Sequence, residues 1–262
     1  MHFKRFSQQA FLGVSALLFA VSAALTTVWC TSMSAMGDMP MPGGWRMSML
    51  WMRMPGQTWL GAAGAFLVMW VVMMMAMMTP SLVPMLWSYR QIIANAGEAR
   101  LGRLTALVGA GYFFVWTAFG IVAFPTGVAL AEIEMRQPAL ARAAPIAVCM
   151  VVLIAGALQF TAWKAHHLAC CREASPGRML TTDSGTALRH GLRLGLHCSF
   201  CCGGLTAILL ALGVMDLRAM AVVTAAITLE RLAPAGERVA RAVGAVTIGA
   251  GLFLIVRATG RG

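Results

Sequence analysis

Two short stretches, AHHLACCR at 165–172 and HCSFCC at 197–202, hold five of the chain's seven cysteines and three of its five histidines. If both stretches are helical, His166 with Cys170, His167 with Cys171, His197 with Cys201, and Cys198 with Cys202 are i, i+4 pairs, each sharing a helix face. Two ligands one turn apart can chelate one ion, and two such helices can close a four-ligand site. Thiolates are soft donors, so Cu(I) is the first expectation, with zinc or iron as alternatives. Cys201 and Cys202 are adjacent and point to different faces, so one of them suffices as a ligand. Competing uses of the same residues are a Cys198-x-x-Cys201 redox pair and palmitoylation beside a basic loop. Cys149 is read as a small apolar packing residue.

Other soft donors occur in two places. Met73, Met74, Met75, Met77 and Met78 cover every face of a helix, so most are packing residues, while Met74 and Met78, one turn apart, can turn toward the thiols. The segment 33–54 carries eight methionines (33, 36, 39, 41, 47, 49, 52 and 54) among Pro and Gly with no apolar periodicity. It reads as an irregular, water-exposed loop in which Met33, Met36, Met39 and Met41 capture a soft metal. The alternative is a loop folded down through Trp45 and Trp51. Glu230 is a candidate ligand or proton relay, set against simple pairing with Arg231 or snorkelling to water. Asp216 needs only a capping role, and Gly109, Gly111, Gly203 and Gly204 suit close helix packing.

The elements that must position these residues are membrane helices. Hydrophobic residues make up 60% of the 262 and charged residues 11%, and the mean hydropathy is +0.78, far from a soluble domain with a quarter of its residues charged. Runs of about 20 apolar residues suffice to cross a hydrocarbon core, and their backbone must be helical. The fold expected is all-α, a polytopic bundle of about seven spans: 9–28, 57–80, 104–130, 144–163, 194–215, 217–232, the shortest, and 239–257. The number is six if the first span is a cleaved signal peptide, which Lys4, Arg5 and the small residues after the apolar run allow. Segment 1–30 is then a first helix or signal anchor, 31–56 an outer Met-rich loop, and 57–262 a six-helix membrane domain with a basic inner loop at 164–193.

The net charge of +11 is spread over short loops, where it signals topology and gives no footprint for nucleic acid. Most Lys and Arg fall on one side when the N-terminus is inside and the C-terminus outside. That orientation brings both thiol-rich stretches, the inner end of the Met-rich span and Glu230 to one side. No Gly-rich nucleotide loop of the Walker type and no Ser-His-Asp arrangement is present, so a carrier is favoured over an enzyme.

The ordered set Trp70 with Met75-Ala-Met-Met-Thr-Pro80, Gly111-Tyr112 and Trp116, Gln159, Lys164, Cys170-Cys171-Arg172, Gly191, Gly195, Cys198, Cys201-Cys202, Gly213-Val-Met-Asp-Leu217 and Glu230-Arg231 resembles the bacterial predicted metal-binding integral membrane protein family, over about 60–257. The chain departs from the family pattern where His166 and His167 follow Lys164, where Cys170 and Cys171 are adjacent, and in Asp216 and Arg231, where Asn and Lys are commoner. The resemblance implies metal binding in a bacterial inner membrane. The resulting expectation is Cu(I) handling or transport between the outer methionines and the inner Cys/His cluster. Its partners would be the lipid bilayer, a metallochaperone or membrane subunit, and a second copy of the chain, without nucleic acid. The rivals are a membrane oxidoreductase or electron-transfer subunit, and a structural subunit of a membrane complex.

Overall fold

The computed structural model describes residues 2–37, 39–42, 45–53, 56–93, 98–172 and 183–259. They form eight helices: α1 His2–Met36, α2 Trp59–Ile92, α3 Glu98–Arg136, α4 Pro138–Leu158, α5 Ala162–Arg172, α6 Ser184–Leu212, α7 Leu217–Leu232 and α8 Gly236–Thr259. The one ladder is two residues long, β1 Met39–Pro40 against β2 Arg46–Met47, antiparallel with Met39 opposite Met47. Six helices (α1, α2, α3, α4, α6 and α8) are long and apolar enough to cross a membrane. The expected span at 217–232 is present as α7, but its 16 residues make about 24 Å of helix, short of a hydrocarbon core of about 30 Å. Large apolar side chains such as Val222, Val246 and Val256 are exposed on the outer faces.

Local chemistry sets the helix ends. Asp216 caps α7 by accepting from the amides of Arg218 and Ala219, Asp183 caps α6 through Gly185 and Thr186, and Gly213 at φ +124° turns the chain out of α6. Several sequence boundaries move, and two of the shifts bear on the candidate residues. The helix expected to stop at Pro80 runs through Pro80 and Pro84 to Ile92, with Ser81 and Ser88 hydroxyls donating to the carbonyls of Met78 and Pro84. Proline is tolerated in tightly packed apolar helices, where neighbouring helices and local backbone adjustment offset the lost bond. The helix expected to start at 194 begins at Ser184, which places Cys198 about four turns inside α6 rather than at its tip.

α6 is the central helix, packed on α3, α4, α5 and α7. Its crossing with α3 is made close by glycine. A β-carbon at Gly111 would lie 2.7 Å from the Leu188 carbonyl, one at Gly195 would lie 2.9 Å from the Tyr112 carbonyl, and one at Gly191 would collide with the Val108 carbonyl. Gly109 and Gly203 have open space, so the packing role expected of them falls to Gly191 and Gly195 instead. Gly191→Ala is expected to lower stability by about 1–3 kcal/mol by forcing these backbones apart, while Gly109→Ala costs less than about 0.5 kcal/mol. Thermal unfolding in detergent checks this, and equal losses would refute it.

Segment 31–56 differs from the exposed loop expected. α1 continues to Met36, and the β1–β2 hairpin closes on the facing ends of α3 and α4. Met41 and Met47 are buried with Ala131 and Ala141, and the Trp45 indole N–H donates to the Ala141 carbonyl at 2.7 Å. Met33 and Met39 are half-buried. Met54 and the side chain of Met36 lie outside the described residues, as does 173–182 of the basic inner loop.

Candidate metal centre

The structure gathers the thiols of α5 and α6 into one buried group. Cys171, Cys198, Cys201 and Cys202 are all at most 3% exposed. Cys198 Sγ stands 3.8 Å from Cys202 Sγ, and the Cys201 thiol lies beside those of Cys171 and Cys202. The adjacent cysteines point to different faces, as expected, but α6 is enclosed on several sides, so both are buried: Cys201 beside Cys171 on α5 and Cys202 beside Cys198.

Charged and polar groups line this sulfur chain. On α5, Lys164 donates through Nζ to the Cys201 carbonyl at 2.7 Å and to Glu230 Oε2 at 2.6 Å. Glu230 is fully buried, and it pairs with Lys164 rather than with Arg231, because neighbours i, i+1 on a helix do not face each other. Arg231 reaches the other way. One guanidinium nitrogen donates to Ser81 Oγ at 2.8 Å, Tyr112 Oη at 3.3 Å and Cys198 Sγ at 3.3 Å, and the second donates to Met85 Sδ at 2.8 Å. Tyr112 Oη also lies 2.9 Å from Cys198 Sγ.

The remaining candidates form an outer tier. His167 and His197 are half-buried, with their Nδ1 atoms 3.0 Å apart, so one donates and the other accepts. Trp163 and Phe200 pack against the His167 ring. Burial, then the neighbouring His197 and His166, hold His167 below the usual imidazole range, which leaves it uncharged at neutral pH, the form that ligates metals. His166 is exposed, with Nε2 3.7 Å from the Cys170 sulfur. The break at 159–161 between α4 and α5 lets α5 turn its histidines and cysteines onto α6. The far end of α5 is tied to the α7–α8 turn by Arg172, which donates to the Pro234 carbonyl at 3.1 Å. A cavity of about 270 Å³ opens beside Gln159 and Lys164, rimmed by Glu237 and Arg241.

Met74 and Met78 are fully buried in the same apolar core as Cys198 and Cys202. Ser81 and Met85 continue their stripe one and two turns further along α2 and provide the groups that meet Arg231. Neither was singled out in the sequence, although the spacing 74, 78, 81, 85 marks one helix face. Met33, Met39 and Met41 stand apart in the α1 end and hairpin, where Cys30 Sγ also approaches Met215 Sδ at 3.7 Å.

Among the described residues, no group of three or more His, Cys, Asp or Glu side chains stands ready to enclose one metal ion; the sulfurs form a chain instead of a cage. The donor set nonetheless suits a soft ion. Two sulfurs at a metal–thiolate distance of about 2.3 Å lie about 3.8 Å apart at a tetrahedral angle and about 4.6 Å apart when linear, so the 3.8 Å between Cys198 and Cys202 can accommodate a shared ion.

A family model described as "PpoB2: Copper chaperone" matches residues 67–254, which takes in every residue of both tiers and leaves out the α1 and hairpin methionines. No curated protein and no solved structure matches the chain.

Proposed function

We propose that this chain, which belongs to the PpoB2 copper chaperone family, is a multi-pass protein of the bacterial inner membrane that holds Cu(I) on the buried thiols of Cys171, Cys198, Cys201 and Cys202. His166, His167, Cys170 and His197 form the mouth through which the ion passes to an acceptor. The observation that carries this reading is the meeting of four buried thiols from two helices, flanked by half-buried imidazoles, inside the matched segment. Soft sulfur ligands favour Cu(I), and burial keeps water and competing hard ligands out. Transfer proceeds by ligand exchange, in which each donor of the acceptor displaces one of the protein's before the ion is released. Met74 and Met78 line the apolar wall on the α2 side. Met33, Met36, Met39 and Met41, with Cys30 and Met215, offer a separate, weaker set of thioether donors. The N-terminus-in orientation places the thiols toward the cytoplasm.

The test is metal content. Protein purified in detergent under reducing conditions is expected to carry copper in stoichiometric amount, and a variant with Cys171, Cys198, Cys201 and Cys202 all changed to Ser is expected to carry none. Equal copper in both, or none in a folded native protein, refutes the reading.

A further inference from the structure

Arg231 is 3% exposed and has no carboxylate partner among the described residues. The nearest carboxylate in sequence, Glu230, is engaged with Lys164, so that pair is internally neutral. The other groups that receive Arg231 are a serine hydroxyl, a tyrosine hydroxyl, a thioether and the Cys198 sulfur. Its Nε–H is buried without any acceptor. A buried cation left in this state is costly unless an anion joins it, and the group in contact that can become anionic on loading is the thiol set.

We infer that Arg231 is the counter-charge of the loaded centre and selects a monovalent soft cation over a divalent one. This rests on the reading that the buried thiols hold the cargo ion. Two thiols that give up their protons to hold M⁺ leave a centre of net charge −1, which the guanidinium balances while the other two thiols stay protonated. A divalent ion between two thiolates is neutral and leaves Arg231 uncompensated. In four thiolates it carries −2, one charge too many. Three thiolates on a divalent ion also give −1, but need a fourth donor to complete a tetrahedral shell, and among the described residues no three His, Cys, Asp or Glu side chains stand together to enclose one ion. The single positive charge beside Cys198 therefore matches the charge of a two-thiolate Cu(I) complex.

The experiment compares Cu(I) and Zn(II) affinities, by anaerobic competition with chelators, in the reduced native protein and three variants. Arg231→Met is expected to lower the Cu(I)-to-Zn(II) affinity ratio by about tenfold or more. Arg231→Lys, which keeps the charge, holds the ratio within about threefold of native. Ser81→Asp leaves Arg231 in place but gives it a carboxylate, and is expected to lower the ratio as Arg231→Met does; it decides the matter alone if Arg231→Met does not fold. A purely structural role for Arg231 weakens both ions together and leaves the ratio unchanged. If Ser81→Asp and Arg231→Met keep the native ratio while the native protein binds Cu(I), the inference falls and the proposed function stands. If the native protein binds no Cu(I), both fall.

Discussion

Glu230→Gln alone is expected to lower the unfolding free energy by about 3–5 kcal/mol, the cost of leaving one charge of a buried pair without its partner. Glu230 is fully buried, its Oε2 lies 2.6 Å from Lys164 Nζ, and the Lys164 side chain is only 4% exposed. With the carboxylate replaced by an amide, the ammonium keeps only neutral acceptors, the Cys201 carbonyl at 2.7 Å among them, and no counter-charge. Removing both charges is a different experiment. Lys164→Met with Glu230→Leu replaces two desolvated ions by apolar groups, and is expected to lie within about 1–2 kcal/mol of native. Chemical unfolding of the native protein, Lys164→Met, Glu230→Leu and their combination in one detergent forms the double-mutant cycle. Equal loss in the single and double variants would show that the side chains contribute by shape and not by charge. The cycle also reports on the thiols, because the Lys164 bond to the Cys201 carbonyl locks α5 onto α6 at the turn where Cys171 and Cys201 meet. The Glu230→Gln variant is therefore expected to lose metal affinity along with stability.

The helical architecture and the location of the cluster were legible in the sequence because both rest on local patterns: long apolar runs, and His/Cys pairs at i, i+4 that share a face whatever surrounds the helix. The i, i+4 rule placed His166 against Cys170, and Cys198 against Cys202, as found. What the sequence reading missed came from tertiary enclosure. Cys201 and Cys202 point to different faces, as their adjacency requires, but both faces are covered because α6 is surrounded by α3, α4, α5 and α7, a property of the bundle and not of the segment. Met41 and Met47 read as exposed because nothing nearby in sequence covers them; the ends of α3 and α4, roughly ninety residues on, do. The pairing of Glu230 with Arg231 was an error of local geometry, since adjacent helical residues diverge. That divergence sends the carboxylate to Lys164 and the guanidinium to Cys198. Tyr112 lay inside a quoted motif, but its contact with Cys198 depends on the glycine crossing of α3 and α6, whose glycines at 191 and 195 are spaced one turn apart in the sequence.

Delivery should separate from storage at the histidine mouth. The buried thiols set how tightly Cu(I) is held, while His167 and His197 stand between them and the surface, each one helical turn from a buried cysteine: Cys171 for His167 and Cys201 for His197. An acceptor that must reach a buried ion needs intermediates in which the metal is never without donors, and two imidazoles with nitrogens 3.0 Å apart provide a station of lower affinity than thiolate. His167→Ala combined with His197→Ala is expected to slow transfer from the loaded protein to a soluble thiol acceptor by about tenfold, equivalent to about 1.4 kcal/mol of barrier. The equilibrium affinity for Cu(I) is expected to change by less than about threefold. Stopped-flow transfer and chelator competition on the same preparations measure the two quantities. A fall in affinity as large as the fall in rate would make the histidines permanent ligands. Unchanged transfer would move the route to the cavity beside Gln159 and Lys164, where the Lys164–Glu230 ion pair offers a soft ion no sulfur or imidazole donor. That difference in donors is the physical reason to expect the imidazole side to carry the traffic.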